Sequence, residues 1–228
     1  MPLVTFKALC LDTRDEPAAI EFWGPVLGLS PVTLASGEVV LAGPTPQHDV
    51  WPCEVPEPKS VKNRVHLDVS AATSVLPGTT ALSEEGEFPW RVLAGPEGDE
   101  LCTFVVDPLP EYRLREVGVD CVDHRAVSAW WAGVWGGTVG VDDDEDFSWV
   151  ADIPGVPFDG FAFQDVPEPK TVKNRVHWDV TLEPGVGVAD LVAAGATVLR
   201  PVDDDISWTV MVDPEGNEFC VFASEDDA

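Results

Sequence analysis

Apolar and polar residues alternate in one stretch of the chain, 64–69, and again in a second stretch, 175–180. Side chains of a β-strand point alternately to its two faces, so each stretch predicts a strand with one apolar and one polar face. The polar faces hold a cation, an imidazole and a carboxylate in each copy: Arg64, His66 and Asp68, and then Arg175, His177 and Asp179. The simplest interpretation is that such a polar face is exposed to solvent. Clustered titratable groups also mark functional sites, so a concave polar wall stays open as the alternative.

The two predicted strands belong to a longer repeat. Residues 55–69 read VPEPKSVKNRVHLDV and residues 166–180 read VPEPKTVKNRVHWDV, at a constant separation of 111 positions (166 − 55). A match of this quality indicates a tandem duplication. We therefore predict two domains, 1–109 and 112–228, each near the usual domain size and joined by a proline-rich linker.

A wide apolar stripe predicts a helix after the opening strand of each domain. Its residues recur at intervals of three and four: Ala19, Phe22, Trp23, Val26 and Leu27, and then Val127, Trp130, Trp131, Val134 and Trp135. Gly28 and Gly136 suit the C-terminal ends of these helices, because helices often end at a left-handed residue. In the opening strands, the repeat spacing of 111 aligns Cys10 with Cys121.

The repeated strand opens a second unit in each domain. In the second domain, helical spacing over 188–195 predicts another helix in this unit. His66 to Cys102 spans 36 positions, whereas His177 to Cys220 spans 43, so we expect the matching helix of the first domain to be short or absent. The chain thus predicts an α+β fold of four βαβββ units with mixed sheets.

The charge balance limits the partners of the protein. Its 228 residues include 13 Lys and Arg against 41 Asp and Glu, which gives a net charge of −28. Such a surface repels nucleic acid and anionic membranes, so we expect neither as a partner. Three acidic runs, 142–146, 203–205 and 225–227, are expected to be solvated loops or ends.

The five cysteines predict reduced thiols rather than a disulfide framework, because their number is odd and they occupy repeat-related positions. The chain opens with no basic segment followed by an apolar core, and no apolar run reaches membrane-spanning length. We therefore expect a cytoplasmic protein, either a monomer or a homodimer.

Three features together resemble the vicinal oxygen chelate superfamily, which includes glyoxalase I, bleomycin- and fosfomycin-resistance proteins and extradiol dioxygenases. They are the aromatic helix ending near Gly136, the strand at 177–180, and the turn Asp213-Pro214-Glu215-Gly216-Asn217 before the last strand. The resemblance covers nearly the whole chain and is strongest to glyoxalase-like domains with the repeated connector. It implies that paired units curl their sheets into cups that hold a metal and a small molecule.

The resemblance also implies four metal-ligand positions in each cup. In the second domain they fall on Glu116, Gln164, His177 and Cys220, and in the first on Thr5, Cys53, His66 and Cys102. Only the histidines match the pattern of the superfamily, because the glutamate of its final strand is a cysteine in both domains. The expected cofactor is therefore none, with a divalent metal in the second domain as the alternative. Its candidate ligands are Glu116, Gln164, His177 and Cys220.

These residues leave three functions open. The first is a binding protein whose cup holds a small, partly aromatic or anionic molecule without the standard metal centre. The second is a metal-dependent lyase, isomerase or dioxygenase that uses the second domain, and the third is a purely structural scaffold. In the first two, the expected ligand-binding residues are the two polar strand faces with Glu116, Gln164 and Cys220. His177 is the candidate catalytic residue, and we expect it to matter more for binding than His66.

Overall fold

The computed structural model describes residues 1–142 and 147–224. The acidic runs at 142–146 and 225–227 lie outside these residues, apart from the backbone of Asp142. In the remaining run, 203–205, Asp203 and Asp205 form ion pairs with the exposed Arg200, at 2.7 and 3.1 Å. This run is therefore a solvated surface segment, as predicted.

The first repeat forms two units. Unit 1 consists of β1 (Val4–Thr13), α1 (Glu16–Leu27), β2 (Ser30–Thr33), β3 (Val39–Ala42) and β4 (Val50–Glu54). Unit 2 consists of β5 (Val65–Ala71), β6 (Thr80–Ala81), β7 (Arg91–Ala94) and β8 (Glu100–Val105). No helix lies between β5 and β6, where every residue is described, so the shortening of the first repeat removes the helix as expected.

The second repeat forms two complete units. Unit 3 consists of β9 (Leu114–Cys121), α2 (His124–Trp135), β10 (Thr138–Asp142), β11 (Phe147–Ala151) and β12 (Gly160–Asp165). Unit 4 consists of β13 (Val176–Leu182), α3 (Val188–Ala194), β14 (Thr197–Arg200), β15 (Thr209–Val212) and β16 (Glu218–Phe222). The predicted α+β class with four strand-rich units and mixed sheets is confirmed.

The units pair across the two repeats. Sheet 1 has the strand order β14-β15-β16-β13-β1-β4-β3-β2, which joins unit 4 to unit 1. Sheet 2 has the order β10-β11-β12-β9-β5-β8-β7-β6, which joins unit 3 to unit 2. Each repeat therefore contributes four strands to each sheet. The boundaries 1–109 and 112–228 describe the two repeats, and whether each acts as a domain stays a prediction.

The opening strands and helices of the repeats match at a spacing of 108, not 111. The helices begin at Glu16 and His124, and 124 − 16 = 108. The pairing registers agree, because Cys10 lies opposite His177 in sheet 1 and Gly118 lies opposite His66 in sheet 2. The alignment of Cys10 with Cys121 is therefore wrong: between its opening helix and the connector the second repeat has three more residues than the first, since 166 − 136 = 30 and 55 − 28 = 27.

Helices α1 and α2 have matching ends. The side chains of Asp15 and Asp123 accept hydrogen bonds from the backbone N–H of Ala18 and Ala126, both at 3.0 Å, and so cap the two N-termini. Gly28 and Gly136 end the helices in the left-handed conformation, as predicted.

The apolar sides of both sheets share one core. Helix α2 packs on β11 and β12 of sheet 2, while its Trp131 contacts Trp178 and Phe219 of sheet 1, with ring centroids 5.1 Å apart in both pairs. Phe161 and Phe163 of β12 are also fully buried in this core. Each sheet thus has a helix-packed side and an opposite side, which we call its open face.

A β-bulge in β1 sets which side chains reach the open face of sheet 1. The register with β13 shifts between Phe6 and Ala8, so strict alternation fails there. As a result Phe6 lies in the core, whereas the core positions after the bulge are Leu9 and Leu11. Cys10 then lies on the open face.

Among the described residues, no helix is long and apolar enough to cross a membrane.

Candidate functional site

The open face of sheet 2 gathers polar side chains on four neighbouring strands. In the register of these strands, Glu116 lies opposite Asp68, and Cys102 lies beside Asp68 on the other flank. His66 lies two residues before Asp68 on the same face, because strand side chains alternate. Gln164 of β12 is exposed at the end of the same face. These residues form the polar centre of sheet 2.

His66, Asp68 and Cys102 form the tightest group in the polar centre of sheet 2. One ligand atom from each lies within 4.8 Å of the other two. Nε2 of His66 is 3.4 Å from Oδ1 of Asp68, and their side chains are 18% and 11% exposed. That oxygen of Asp68 is buried without a hydrogen bond. The group can therefore accept one more donor or cation.

Gly118 provides the space in which the His66 ring lies. A Cβ atom built on Gly118 would be 2.4 Å from Cε1 and Nε2 of His66. No side chain can approach so closely, so the imidazole depends on a residue without one at this position. In sheet 1 the matching position holds Cys10, and the thiol occupies the corresponding space beside His177.

Two groups in the polar centre of sheet 2, His66 and Glu116, have pKa values raised above their usual values. Burial lowers the pKa of His66, but the close contacts with Asp68 and Cys102 and their negative charges outweigh it and hold this pKa well above its usual value. Burial and the charge of Asp68 raise the pKa of Glu116 to about 7. A carboxyl group with this pKa can both donate and accept a proton near neutral pH.

Aromatic rings flank the polar centre of sheet 2 on both sides. On one side Trp149 and Phe147 lie on β11, with ring centroids 5.7 Å apart, and share the face of Gly118 through the register of β12. On the other side Trp90 contacts both Phe104, at 5.6 Å, and Phe88, at 5.4 Å. All five rings are partly exposed, and Phe88 is 42% exposed. They form two aromatic walls around the centre.

The open face of sheet 1 has a different chemistry. Here Cys10, His177 and Asp179 have ligand atoms within 4.8 Å of one another, and all three residues are buried. The thiol of Cys10 donates to Oδ1 of Asp179 at 3.6 Å, so these two satisfy each other. Cys53 and Cys220 complete the face beside Asp12 and Asp179.

On the open face of sheet 1, the pKa values of His177, Asp179 and Cys10 are shifted toward the neutral forms of these groups. Burial, with a smaller effect of Lys173, lowers the pKa of His177 to about 3. Burial raises the pKa of Asp179 to about 6. A hydrogen bond to Cys53, burial and the charge of Asp179 raise the pKa of Cys10. Cys10 and Asp179 are buried and bond each other, which resembles core packing more than an accessible site, whereas Nδ1 of His177 is buried without a hydrogen bond.

The structure divides the predicted ligand set between the two sheets. Glu116 and Gln164 lie in sheet 2 with His66, whereas His177 and Cys220 lie in sheet 1, so these four residues do not share one site. The reason is the crossed pairing of units 2 and 3 and of units 1 and 4.

The remaining predicted positions also change. Ala8, not Thr5, matches Glu116 at the spacing of 108, and it lies opposite Asp179 as Glu116 lies opposite Asp68. Thr5 lies before the bulge, where its hydroxyl donates to the carbonyl of Thr181 at 3.5 Å. The argument that His177 has the richer surroundings because of Glu116 and Gln164 is therefore wrong, since both lie on the open face that holds His66.

Sequence reasoning missed several residues of sheet 2. The aromatic walls were not identified, although 147, 149 and 151 alternate as a strand. Gly118 was also missed, and the spacing of the two helices would have placed it opposite His66. Arg64 and Arg175, expected beside the histidines, lie at the start of β5 and β13 and line a cavity between the two connectors.

Comparisons with known proteins agree with this fold. The sequence model of the glyoxalase-like domain matches the chain twice, at residues 8–104 and 116–222. Glyoxalase I from Zea mays has a similar structure, with a TM-score of 0.65 and 11% identity over 96% of this chain and 92% of that chain. A proposed dioxygenase from Bacillus subtilis subsp. subtilis strain 168 is similar at a TM-score of 0.65 and 11% identity, over 98% of this chain and 86% of that one. No curated protein matches in sequence. Because the two matches cover most of the sequence, the chain belongs to the glyoxalase-like domain family.

Proposed function

We propose that the open face of sheet 2 binds a small molecule that has a polar group and a planar apolar part. The observation that carries this proposal is the position of the polar centre between two partly exposed aromatic walls. Small-molecule sites combine mostly apolar walls with a few placed polar groups, and this face has that composition. Sheet 1 also has partly exposed rings on its open face, Trp51 opposite Cys10 and Trp208 stacked on Phe222, but its Cys10, His177 and Asp179 are all buried, whereas His66 is partly exposed.

The polar and aromatic residues of this face have different roles in the proposed binding. His66 and Glu116 supply a hydrogen-bond donor and an acceptor near the middle of the face, with pKa values shifted toward or above neutrality. Trp149 and Trp90 offer ring faces on which a planar group can stack, a contact that typically contributes about 0.5–1.5 kcal/mol beyond area burial. Binding of this kind requires no metal.

The test is a pair of matched variants. A panel of hydroxy- and carboxy-substituted benzenes is titrated while tryptophan fluorescence is recorded, because Trp149 and Trp90 report on the site. For any compound that binds, His66→Gln should weaken affinity about tenfold or more, the effect of losing a hydrogen bond to a charged group. His177→Gln should leave affinity unchanged. Weaker binding in the His177 variant alone would place the site on sheet 1.

A metal-dependent lyase, isomerase or dioxygenase is the second candidate, and the group of His66, Asp68 and Cys102 favours it. Imidazole, carboxylate and thiolate are all zinc ligands, the three donors lie within 4.8 Å of one another, and Oδ1 of Asp68 lacks a hydrogen bond. A bound divalent cation would supply Lewis-acid polarisation of an oxygen on the substrate. The group on sheet 1 fits a metal less well, because Cys10 and Asp179 already bond each other.

Metal analysis separates the two candidates. Protein purified without a histidine tag is assayed for bound transition metals, together with His66→Gln and His177→Gln. The metal-dependent candidate requires a metal that is retained in the His177 variant and lost in the His66 variant. Metal-free protein that still binds a compound of the panel supports binding without a metal.

A further inference from the structure

A large cavity lies outside both open faces. It has a volume of about 860 Å³ and is lined mainly by the two copies of the repeated connector, 55–64 and 166–175. The arginines tie the connectors together, since Nη1 of Arg64 donates to the carbonyl of Glu168 at 2.6 Å and Nη1 of Arg175 donates to the carbonyl of Glu57 at 3.0 Å. The cavity therefore has two related halves.

Positive charge is concentrated around this connector cavity. Five cations and four carboxylates line it, whereas the whole chain has 13 cations and 41 carboxylates. Lys62 and Lys173 form ion pairs across the connectors with the buried Asp120 and Asp12, yet their side chains stay 64% and 54% exposed. In a protein with a net charge of −28, this is a local environment suited to an anion.

Arg64 is the cation of the cavity that has no carboxylate partner among the described residues. Its counterpart Arg175 pairs with Glu97 at 2.9 Å and with Asp99 at 3.5 Å. In the second repeat, the turn position of Asp99 is occupied by the uncharged Asn217, and that of Glu97 by Glu215, whose carboxylate accepts hydrogen bonds from the backbone N–H groups of Val122 and Asp123. The Nε atoms of Arg64 and Arg175 are both buried without a hydrogen bond, so the missing carboxylate is what distinguishes Arg64. The guanidinium of Arg64 thus retains a charge that no carboxylate of the described residues pairs with.

We propose that the connector cavity binds a small organic anion, a carboxylate or a phosphate ester, whose charge meets Arg64. A guanidinium recognises both groups through paired N–H donors. The apolar part of the ligand lies against the valines of the two connectors, Val55, Val61, Val166 and Val172, which line the same cavity. This site is separate from the polar centre of sheet 2, and neither proposal depends on the other.

Benzoate and phenyl phosphate are suitable probes, titrated by isothermal calorimetry at low ionic strength. At least one should bind, and the tighter of the two identifies the class of anion. Arg64→Gln should weaken binding about ten- to hundredfold, the effect of losing a hydrogen bond between charged groups. Arg64→Lys keeps the charge but loses the paired donors, so it should give an intermediate affinity.

Two further variants make the result specific. Arg200→Gln removes the same charge at an exposed site paired with Asp203 and should leave affinity unchanged. Val172→Trp introduces a large ring at a position that is 43% exposed and should block binding without touching Arg64. Thermal melting of each variant reports whether it is folded.

Three outcomes would overturn the proposal. They are no binding of either probe to the unaltered protein, equal weakening by Arg64→Gln and Arg200→Gln, and binding that survives Val172→Trp. Loss of probe binding in His66→Gln but not in Arg64→Gln would place the anion on the open face of sheet 2 instead.

Discussion

Two buried tryptophans of the shared core allow a direct measurement of one hydrogen bond. Trp131 and Trp178 are both fully buried and contact each other. Nε1 of Trp131 donates to Oδ2 of the buried Asp213 at 2.9 Å, whereas Nε1 of Trp178 has no hydrogen-bond partner. Replacement of each by Phe removes the same volume from the same cluster. The two variants therefore differ mainly in whether the N–H group that is removed had a hydrogen-bond partner.

The expected difference follows from these contacts. Trp131→Phe loses a hydrogen bond to a carboxylate, which contributes about 1.5–3 kcal/mol, in addition to the cost of the smaller ring. Trp178→Phe relieves an unsatisfied buried donor, whose penalty is about 1–3 kcal/mol, and so offsets part of that cost. The free energy of unfolding should fall about 3 kcal/mol more for Trp131→Phe than for Trp178→Phe.

Urea denaturation followed by far-ultraviolet circular dichroism measures both free energies of unfolding. The dependence on urea should be the same for the three proteins, so that midpoints can be compared. Equal losses of stability in the two variants would refute the reasoning, as would a larger loss for Trp178→Phe.

Two other predictions concern the net charge of the protein and the close approach of Gly28 to Glu111. The net charge of −28 should make the protein more stable in added sodium chloride, because salt screens the repulsion among carboxylates; a melting temperature that is unchanged or lower in salt contradicts this. Gly28→Ala should be more destabilising than Gly37→Ala in the same denaturation assay. Both glycines have positive φ, at 72° and 95°, but a Cβ at 28 would lie 1.8 Å from the carbonyl oxygen of Glu111 and one at 37 would meet nothing within 4 Å. Equal costs would mean that the contact with Glu111 relaxes freely.

Local patterns predicted the elements of this fold well. The apolar stripes, the aspartates before them and the glycines after them define α1 and α2, because helix formation and capping depend on residues within a few positions. Alternation likewise defined β5 and β13. These are properties of neighbouring residues, so the sequence contains them directly.

The partners of these strands could not be predicted in the same way. Val65-His66-Leu67-Asp68-Val69 and 176–180 have nearly the same sequence, so β1 or β9 would satisfy either strand equally well by alternation alone. The choice depends on the packing of whole units, which no local pattern records. The error in the site followed from this: Glu116 was grouped with His177, although it lies opposite Asp68.

An incorrect repeat spacing is the reason that Gly118 and Ala8 were not predicted to lie on the open faces. The connectors match at 111, and this value was extended to the opening strands, where the correct spacing is 108. The bulge between Phe6 and Ala8 also changes which residues face the core, and no glycine or proline marks it. Gly118 and Ala8 were therefore not assigned to the open faces.

The crossed pairing of the repeats has a consequence for synthesis of the chain. Strand β1 is made first, but its antiparallel neighbour β13 includes Thr181, which is 176 positions after Thr5. At translation rates of about 5–20 residues per second, β1 waits roughly ten to thirty-five seconds for this partner. During that time one edge of the nascent unit 1 is unpaired, and exposed strand edges promote association between chains. Rapid translation or chaperone protection of the emerging chain would therefore raise the yield of native protein.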